Sequence, residues 1–265
     1  MPAANGRGFG WIPNANPPAL LFSAHPARAN IAIPPEVFLK VPRSLDQGPL
    51  GSCTANAAAM AVAILALARG FIIWLARLSI YFGARRRLGP QYVTQDSGAM
   101  PDDALATIQA GEAGPESLRP YDVATFQRAP TLAELAAAKT HSLKKYALTG
   151  DVVLEAKIAL ASGFPLDHGF QIRHDHRGGL QIDHVGVDGV YPWDPTAATS
   201  NAGHSTTIVG YSDSRQAFLV CNSWGDDWGC EVPAQPERGR GCYWIPYAMF
   251  ASADVGDRSA VTDWS

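Results

Sequence analysis

The clearest hydrophobic pattern in the chain is the alanine- and leucine-rich run of residues 53–68, which follows Ser52 and stops before Arg69 and Gly70. The run contains no internal glycine or proline, and alanine and leucine are strong helix formers. Apolar side chains lie on nearly every face, so we predict a buried helix. Ser52 is a favourable N-cap and places Cys53 in the first helical turn.

The middle of the chain predicts three more helices. Residues 101–110 begin with a proline and two acidic residues, which is typical of a helix N-terminus. Thr131 and Glu134 have the spacing of a capping box for a helix that continues to Lys139. A third apolar run covers residues 152–161 and ends at a Ser-Gly pair.

Strand patterns replace helical ones in the second half of the chain. Residues 164–172 begin this strand-rich part, and the β-branched run that follows His204 predicts a strand with His204 at its mouth. Residues 216–221 predict the next strand, with a turn over residues 212–215. Because helical patterns occupy the first half of the chain and strand patterns the second half, we predict an α+β fold.

Prolines recur through the first 40 residues, so this segment cannot form one helix. We expect an N-terminal arm over residues 1–40 that packs on the domain as a strap, which is favoured over an inhibitory segment in a cleft. Residues 41–265 are predicted to form the main domain. Its helical lobe spans about residues 41–150 and its β-rich lobe about residues 151–255.

The composition excludes several classes of protein. The chain has 265 residues, 47% of them hydrophobic, and a net charge of −3, so neither nucleic acid nor an anionic membrane is an expected partner. Its longest apolar stretch, residues 57–82, is interrupted by Arg69 and Arg77 and does not predict a membrane span. No signal-peptide pattern is visible at the N-terminus, so a cytoplasmic location is the default expectation, with export by another route left open.

Four residues carry the candidate chemistry. Cys53 at a helix N-terminus is a predicted thiolate nucleophile, because the helix dipole and free N–H groups lower a thiol pKa. The hairpin brings His204 near Asn222, whose carbonyl oxygen is suited to fix the imidazole tautomer. Gln47 lies in the glycine-rich loop before Cys53 and is a candidate oxyanion donor. A buried inert thiol and a structural histidine are the competing interpretations.

These motifs resemble the papain family of cysteine peptidases, particularly bacterial members in which the nucleophile lies in Gly-Ser-Cys-Thr-Ala-Asn-Ala, here residues 51–57. The resemblance extends from about residue 10 to residue 247. It implies a two-lobe fold, with a helical left lobe, an antiparallel β-barrel-like right lobe and the active-site cleft between them. It implies the catalytic set Cys53, His204, Asn222 and Gln47, and substrate-binding positions at Ser97, Gly98, Ala99, Met100, Gly203 and Trp224.

The function that the resemblance implies is hydrolysis of peptide bonds through a Cys53 thiolate and His204 imidazolium pair. Acyl transfer to an amine through the same thioester, and a catalytically silent peptide-binding relative, are the alternatives. A peptide or polypeptide is the expected partner, no cofactor or metal is expected, and the oligomeric state stays open. Leu50 and Thr54 depart from the usual papain-type nucleophile motif and leave substrate preference open.

Three other features have weaker interpretations. A cluster of histidines and aspartates within residues 167–184 allows a metal site, but its flanking arginines and glycines favour a solvated hairpin. A Cys230–Cys242 disulfide is as consistent with the sequence as two free thiols. The arginines at positions 85–87 predict a solvated helix end.

Overall fold

The computed structural model of the chain describes residues 6–16, 20–28, 31–186 and 188–264. Across these residues it contains six α-helices and seven β-strands. The helices are α1 (Cys53–Ala68), α2 (Arg77–Leu88), α3 (Pro101–Gln109), α4 (Leu132–Ala137), α5 (Val152–Ala161) and α6 (Tyr247–Ala251). The strands are β1 (Glu36–Phe38), β2 (Lys144–Ala147), β3 (Leu166–Arg173), β4 (Thr199–Ser212), β5 (Ala217–Cys221), β6 (Cys242–Pro246) and β7 (Val255–Thr262).

The strands form one antiparallel sheet in the order β2-β7-β3-β4-β5-β6, with β1 paired to β4. The mixture of helices with an antiparallel sheet confirms the predicted α+β class. Three strands of this sheet lie wholly or largely outside the range expected for the β-rich lobe, and one of them, β7, extends past its end at residue 255. Strand β1 comes from the N-terminal arm and pairs with β4, and β2 comes from the helical part of the chain and pairs with β7. Both join the sheet because they satisfy backbone groups that would otherwise lie unpaired at its edges.

The central helix α1 joins the two halves of the core. Its residues from Cys53 to Ala66 are all buried, as the all-round apolar pattern predicted. On one side it packs with residues of α2 and α3, including Leu78 and Leu105. On the other side the Thr207 hydroxyl of β4 donates a 3.1 Å hydrogen bond to the Ala57 carbonyl of α1. The N-terminus of α1 is therefore held beside the strand that carries His204.

Two local details differ from the expected ones. Ser52 is the N-cap residue of α1 as expected, but its side chain makes no capping hydrogen bond; its hydroxyl lies 2.6 Å from the Tyr121 hydroxyl, which also donates to the Gln47 carbonyl at 3.0 Å. His204 lies inside the fourteen-residue strand β4 rather than at its mouth. Pairing with β3 extends the N-terminal end of β4 beyond the β-branched run. Residues of low intrinsic strand propensity therefore adopt strand conformation there.

The prediction of a solvated helix end at residues 85–87 is wrong for Arg85, which is fully buried. Its guanidinium donates to the carbonyl oxygens of Val93, Gln95 and Phe126 at 2.7–2.9 Å. A buried charge is tolerated where its donors are satisfied. Arg85 thereby holds the segment that leads into residues 97–100 of the predicted cleft wall.

None of the helices within the described residues is long and apolar enough to cross a membrane.

Candidate active site

The side chains of His204 and Asn222 form the centre of the site. The His204 Nε2 atom lies 2.8 Å from Asn222 Oδ1. The same Oδ1 accepts the Ser223 N–H, and a carbonyl oxygen only accepts, so Nε2 carries the imidazole proton. The Nδ1 atom is buried and has no hydrogen-bond partner among the described residues. Asn222 therefore fixes the tautomer that leaves Nδ1 free as a base, as the hairpin predicted.

An aromatic cluster shields this hydrogen bond. Trp224 is fully buried, and its ring centroid lies 5.2 Å from that of His204. Phe9 packs edge-on against both rings, at 5.7 Å from His204 and 5.8 Å from Trp224. Trp224 and Phe9 thus exclude water from the His204–Asn222 hydrogen bond, which strengthens it.

Gln47 is held in a defined orientation near the nucleophile. Its Oε1 accepts a hydrogen bond from the Ser223 hydroxyl, which directs Nε2 towards the cleft. Nε2 then donates to the Leu50 carbonyl at 2.7 Å and to the Gly8 carbonyl at 3.1 Å. The side-chain amide of Gln47 therefore already binds a peptide carbonyl that enters the cleft.

Residues 8–12 of the N-terminal arm lie in this cleft, so the expectation of a plain packing strap is wrong for them. The Gly10 carbonyl accepts the Ala99 N–H at 2.8 Å, and the Ile12 N–H donates to the Ala99 carbonyl at 3.1 Å. This pattern is a parallel pairing of Trp11 with Ala99. The Trp11 N–H donates to the Gly203 carbonyl at 3.1 Å. The arm is held because both walls of the cleft offer it main-chain hydrogen bonds.

The predicted substrate-binding residues occupy different places around the arm. Ala99 and Gly203 contact the arm backbone directly, as described above. Gly98 approaches it so closely that a β-carbon there would lie 2.3 Å from the Gly10 carbonyl oxygen. The Ser97 hydroxyl donates to the Gly98 carbonyl, and Met100 is the N-cap of α3.

Burial determines the charge state of Cys53 and His204. Desolvation raises the pKa of Cys53 to about 12, although the N–H groups of Ser205, Gly10 and Thr54 hydrogen-bond the sulfur and oppose the rise. Desolvation also lowers the pKa of His204 to about 4, against the hydrogen bond that its Nε2–H donates to Asn222. With the arm in place both groups are therefore neutral at pH 7. The helix N-terminus is outweighed because the buried Cys53 sulfur is desolvated.

A spectroscopic titration of Cys53 tests this charge state. The raised pKa means that the thiol stays protonated at every pH below about 10, so the Cys53→Ser substitution should not change the ultraviolet thiolate absorbance in the range from about pH 5 to 9. A loss of one thiolate absorbance at pH 7 on substitution would contradict a neutral pair. Cys230→Ser, at a half-buried thiol with a raised pKa, is the matched control.

Asp167 is a buried carboxyl near the nucleophile, and sequence analysis did not give it a role at this site. Its Oδ1 accepts a 3.2 Å hydrogen bond from the Ser205 hydroxyl, and its Oδ2 has no partner among the described residues. Desolvation raises the pKa of Asp167 to about 6. The charge of Asp167 contributes to the raised pKa of Cys53.

The weaker sequence interpretations have clear outcomes. In the described part of the chain, no group of three or more His, Cys, Asp or Glu residues is placed to hold a metal ion. The structure has Cys230 and Cys242 as free thiols, so the disulfide between them is not formed. The Cys242 sulfur lies 3.1 Å from that of Cys221 instead, because residues 221 and 242 are directly paired across β5 and β6.

Comparison with known proteins identifies the fold and the family. A model of the family described as "Papain family cysteine protease" matches residues 39–244. The chain belongs to the papain family of cysteine proteases. A curated relative, the uncharacterized peptidase C1-like protein L477 of Acanthamoeba polyphaga mimivirus, is 31% identical over 195 residues, which cover 70% of this chain. The match covers 61% of that relative, so this chain spans less than two thirds of its length.

Solved papain-family structures share the fold. Xylellain, a cysteine protease from Xylella fastidiosa, aligns with a TM-score of 0.79 at 24% identity and covers 99% of this chain and 98% of its own. Digestive procathepsin L 3 from Tenebrio molitor aligns with a TM-score of 0.62 at 19% identity over 97% of this chain and 74% of its own. The Carica candamarcensis protease CMS1MS2, in complex with E-64, aligns with a TM-score of 0.61 at 18% identity and covers 87% of this chain and 99% of its own. At these identities the likeness shows the fold.

Proposed function

We propose that this protein is a cysteine peptidase, with Cys53 as nucleophile and His204 as general base and acid, and that residues 8–12 restrain it by occupying the cleft. One observation carries this proposal: the cleft beside Cys53 already holds a peptide. Gln47 donates to a peptide carbonyl, while Ala99 and Gly203 pair with the peptide backbone on opposite walls. Such main-chain recognition of an extended segment is a common way of binding peptides.

The proposed reaction uses each polar group of the site. Transfer of the Cys53 proton to His204 Nδ1 creates a thiolate that attacks the carbonyl carbon of the substrate. The Gln47 amide and the Cys53 N–H stabilise the oxyanion, and the protonated imidazole gives its proton to the leaving amine. Water then hydrolyses the thioester with His204 as the base. Asn222 keeps the imidazole in one orientation through both steps.

The arm is suited to block the cleft. A backbone hydrogen bond from Gly10 reaches the Cys53 sulfur, and Gln47 donates to the Gly8 carbonyl. The arm thus occupies both the proposed nucleophile and the proposed oxyanion donor, so a substrate must displace it.

Labelling with an epoxysuccinyl inhibitor, followed by intact mass and peptide mapping, tests the proposal. In the Trp11→Ala variant, which opens the cleft, one adduct on Cys53 is expected, and adding His204→Ala should greatly slow its formation because the thiol then lacks its proton acceptor. Adding His141→Ala instead, at a histidine outside the cleft, is the matched control. A His204→Ala variant that labels as fast as Trp11→Ala alone would show that Cys53 and His204 do not act as a pair.

Replacing Gln47 by alanine tests the oxyanion donor. Loss of one such donor lowers kcat by about 10²–10³-fold, and we expect a decrease in that range with a smaller change in KM. The measurement is steady-state hydrolysis of a fluorogenic peptide in the Trp11→Ala background, because Gln47 also binds the Gly8 carbonyl of the arm. The exposed Gln127→Ala is the control, and a Gln47→Ala enzyme with wild-type kcat would remove Gln47 from the mechanism.

A further inference from the structure

Cys221 and Cys242 form a buried pair of thiols where β5 ends and β6 begins. Their sulfur atoms lie 3.1 Å apart, and the two residues face each other across the strands. The Asn222 N–H donates to the Gly241 carbonyl at 3.0 Å, so the cysteines occupy a non-hydrogen-bonded position of the ladder. Side chains of an antiparallel sheet approach most closely at such positions. The backbone therefore already holds the two cysteines at the separation that a disulfide bond spans.

The guanidinium of Arg238 is directed at both sulfur atoms. Its Nη1 lies 3.5 Å from Cys242 Sγ, and its Nη2 lies 3.8 Å from Cys221 Sγ. The other acceptors of these nitrogens are neutral oxygens, the Arg240 carbonyl and the Ser44 hydroxyl. Among the described residues, no carboxylate makes an ion pair with Arg238, and its buried Nε has no hydrogen-bond partner. The positive charge is thus available to stabilise a thiolate.

The four free thiols differ in their tendency to ionise. Burial opposes ionisation of Cys221, but the hydrogen bond from the Cys242 thiol and the charge of Arg238 outweigh it and lower the pKa of Cys221. Burial and the neighbouring Cys221 raise the pKa of Cys242. Burial also raises the pKa of Cys53 and that of Cys230 to about 12. Because a thiolate and not a thiol is the nucleophile, Cys221 is the most reactive of the four.

A small cavity adjoins Cys221 and gives a small molecule a place beside its sulfur. The cavity has room for a molecule about the size of water, and it lies between α1, β4 and the end of β5, where Cys221 and Asn222 form part of its wall. Hydrogen peroxide is close to water in size and polarity, so it fits this space. Larger oxidants are excluded from it.

We propose that Cys221 and Cys242 are a peroxide-reactive dithiol, which hydrogen peroxide converts to a disulfide before it oxidises Cys53. The pair takes no part in the proposed peptidase reaction, so this modification site stands or falls independently of that function. The same oxidation in solution passes through a sulfenic acid, which a second thiol resolves.

The proposed oxidation has two steps. The Cys221 thiolate attacks one peroxide oxygen, the O–O bond breaks, and the leaving hydroxide takes up a proton to become water. The Cys242 sulfur then attacks the sulfur of the resulting sulfenic acid. The S–S bond forms, the S–O bond breaks, and the second hydroxide leaves as water with the Cys242 proton. Both sulfur atoms are oxidised, and one peroxide is reduced to two molecules of water.

Limited treatment of the full-length wild-type chain with hydrogen peroxide tests the proposal. The remaining thiols are then alkylated under denaturing conditions, and the chain is digested with trypsin and Asp-N, which cut between Cys221, Cys230 and Cys242. We expect a mass loss of about 2 Da and two peptides joined through Cys221 and Cys242, with Cys53 still alkylated. Dithiothreitol should restore both thiols.

Substitutions near the pair provide matched controls. Arg238→Gln should slow formation of the disulfide by about three- to tenfold, because the loss of charge reduces the thiolate fraction more than it raises thiolate nucleophilicity. Arg240→Gln makes the same chemical change in the same loop, at a guanidinium that donates to the Asp227 carbonyl instead, and should leave the rate unchanged. Cys230→Ser should also retain the wild-type rate and the same joined peptides.

Three results would overturn the proposal. One is a disulfide that includes Cys230, and another is oxidation of Cys53 while Cys221 is still reduced. The third is an equal rate of disulfide formation in Arg238→Gln and in the wild type. The peptide mapping uses the wild-type chain, so its outcome does not depend on how well any variant folds.

Thermal unfolding of the oxidised and the dithiothreitol-treated chain tests whether the native fold positions the pair. The bond closes a loop of about 20 residues, and it should raise Tm by about 5–10 °C because the sulfur atoms are already in contact in the folded protein. A lower Tm for the oxidised chain would show that the bond distorts the sheet, which contradicts a pair held ready by β5 and β6.

Discussion

Replacing Cys53 by alanine is expected to abolish peptide hydrolysis, with a loss on the order of 10⁶-fold in kcat, as for a hydrolase that loses its nucleophile. The remaining groups of the site cannot form a thioester, and an alanine side chain has nothing to donate to His204. The measurement is cleavage of a fluorogenic peptide library by wild type and by Cys53→Ala, each in the presence of the Trp11→Ala change that opens the cleft.

The fold should survive this substitution. Cys53 is fully buried in the first turn of α1, and alanine fits that turn without strain. Circular dichroism and thermal unfolding should therefore be close to those of wild type. Cys230→Ala is the matched control and should keep its activity. Substantial hydrolysis by Cys53→Ala would reject this cysteine as the nucleophile, whatever the cause of the remaining activity.

Replacing Trp11 by alanine is expected to activate the enzyme and to expose Cys53. The indole buries most of its apolar surface between Gly169 and Gly203 and donates to Asp257. Loss of both contributions weakens the docking of the arm by about 3 kcal/mol, which raises the population of open cleft on the order of 100-fold. Alkylation of Cys53 and hydrolysis of a small peptide should rise together by that factor.

The control for arm release is Trp74→Ala, because this half-buried tryptophan lies against Arg43 and outside the cleft. That variant should change neither rate. The mass of the wild-type chain should stay constant during incubation if the bound arm is an inhibitor and not a substrate. Rates that do not change in Trp11→Ala would show that residues 8–12 do not limit access to Cys53.

Opening the cleft also changes the expected charge state. With the arm bound, burial holds the pKa of Cys53 at about 12 and that of His204 at about 4. Water that enters after the arm leaves removes the main cause of both shifts, while the α1 N-terminus and the Ser205 N–H still stabilise a thiolate. Under the proposed function, arm binding would thus keep Cys53 and His204 in unreactive charge states as well as block the cleft.

Much of the fold and the catalytic set could be predicted from the sequence because the signals are local. The bounds of α5 and the start of α3 follow from a cap and a proline within one turn of each helix. The hairpin between β4 and β5 brings His204 within reach of Asn222 through a turn of a few residues. Each of these features depends on neighbours in the chain, so one stretch of sequence contains the information.

The sequence by itself therefore determined the candidate catalytic residues and their local settings: Cys53 at the start of an apolar helix, and His204 and Asn222 on one hairpin. The tertiary structure alone decided the charge state of Cys53, the burial of Arg85 and the place of the arm. Trp11 and Asp257 are separated by 246 positions, and no local pattern links them. They meet because β7 pairs with β3 at the edge of the cleft, where Gly169 leaves space for an indole.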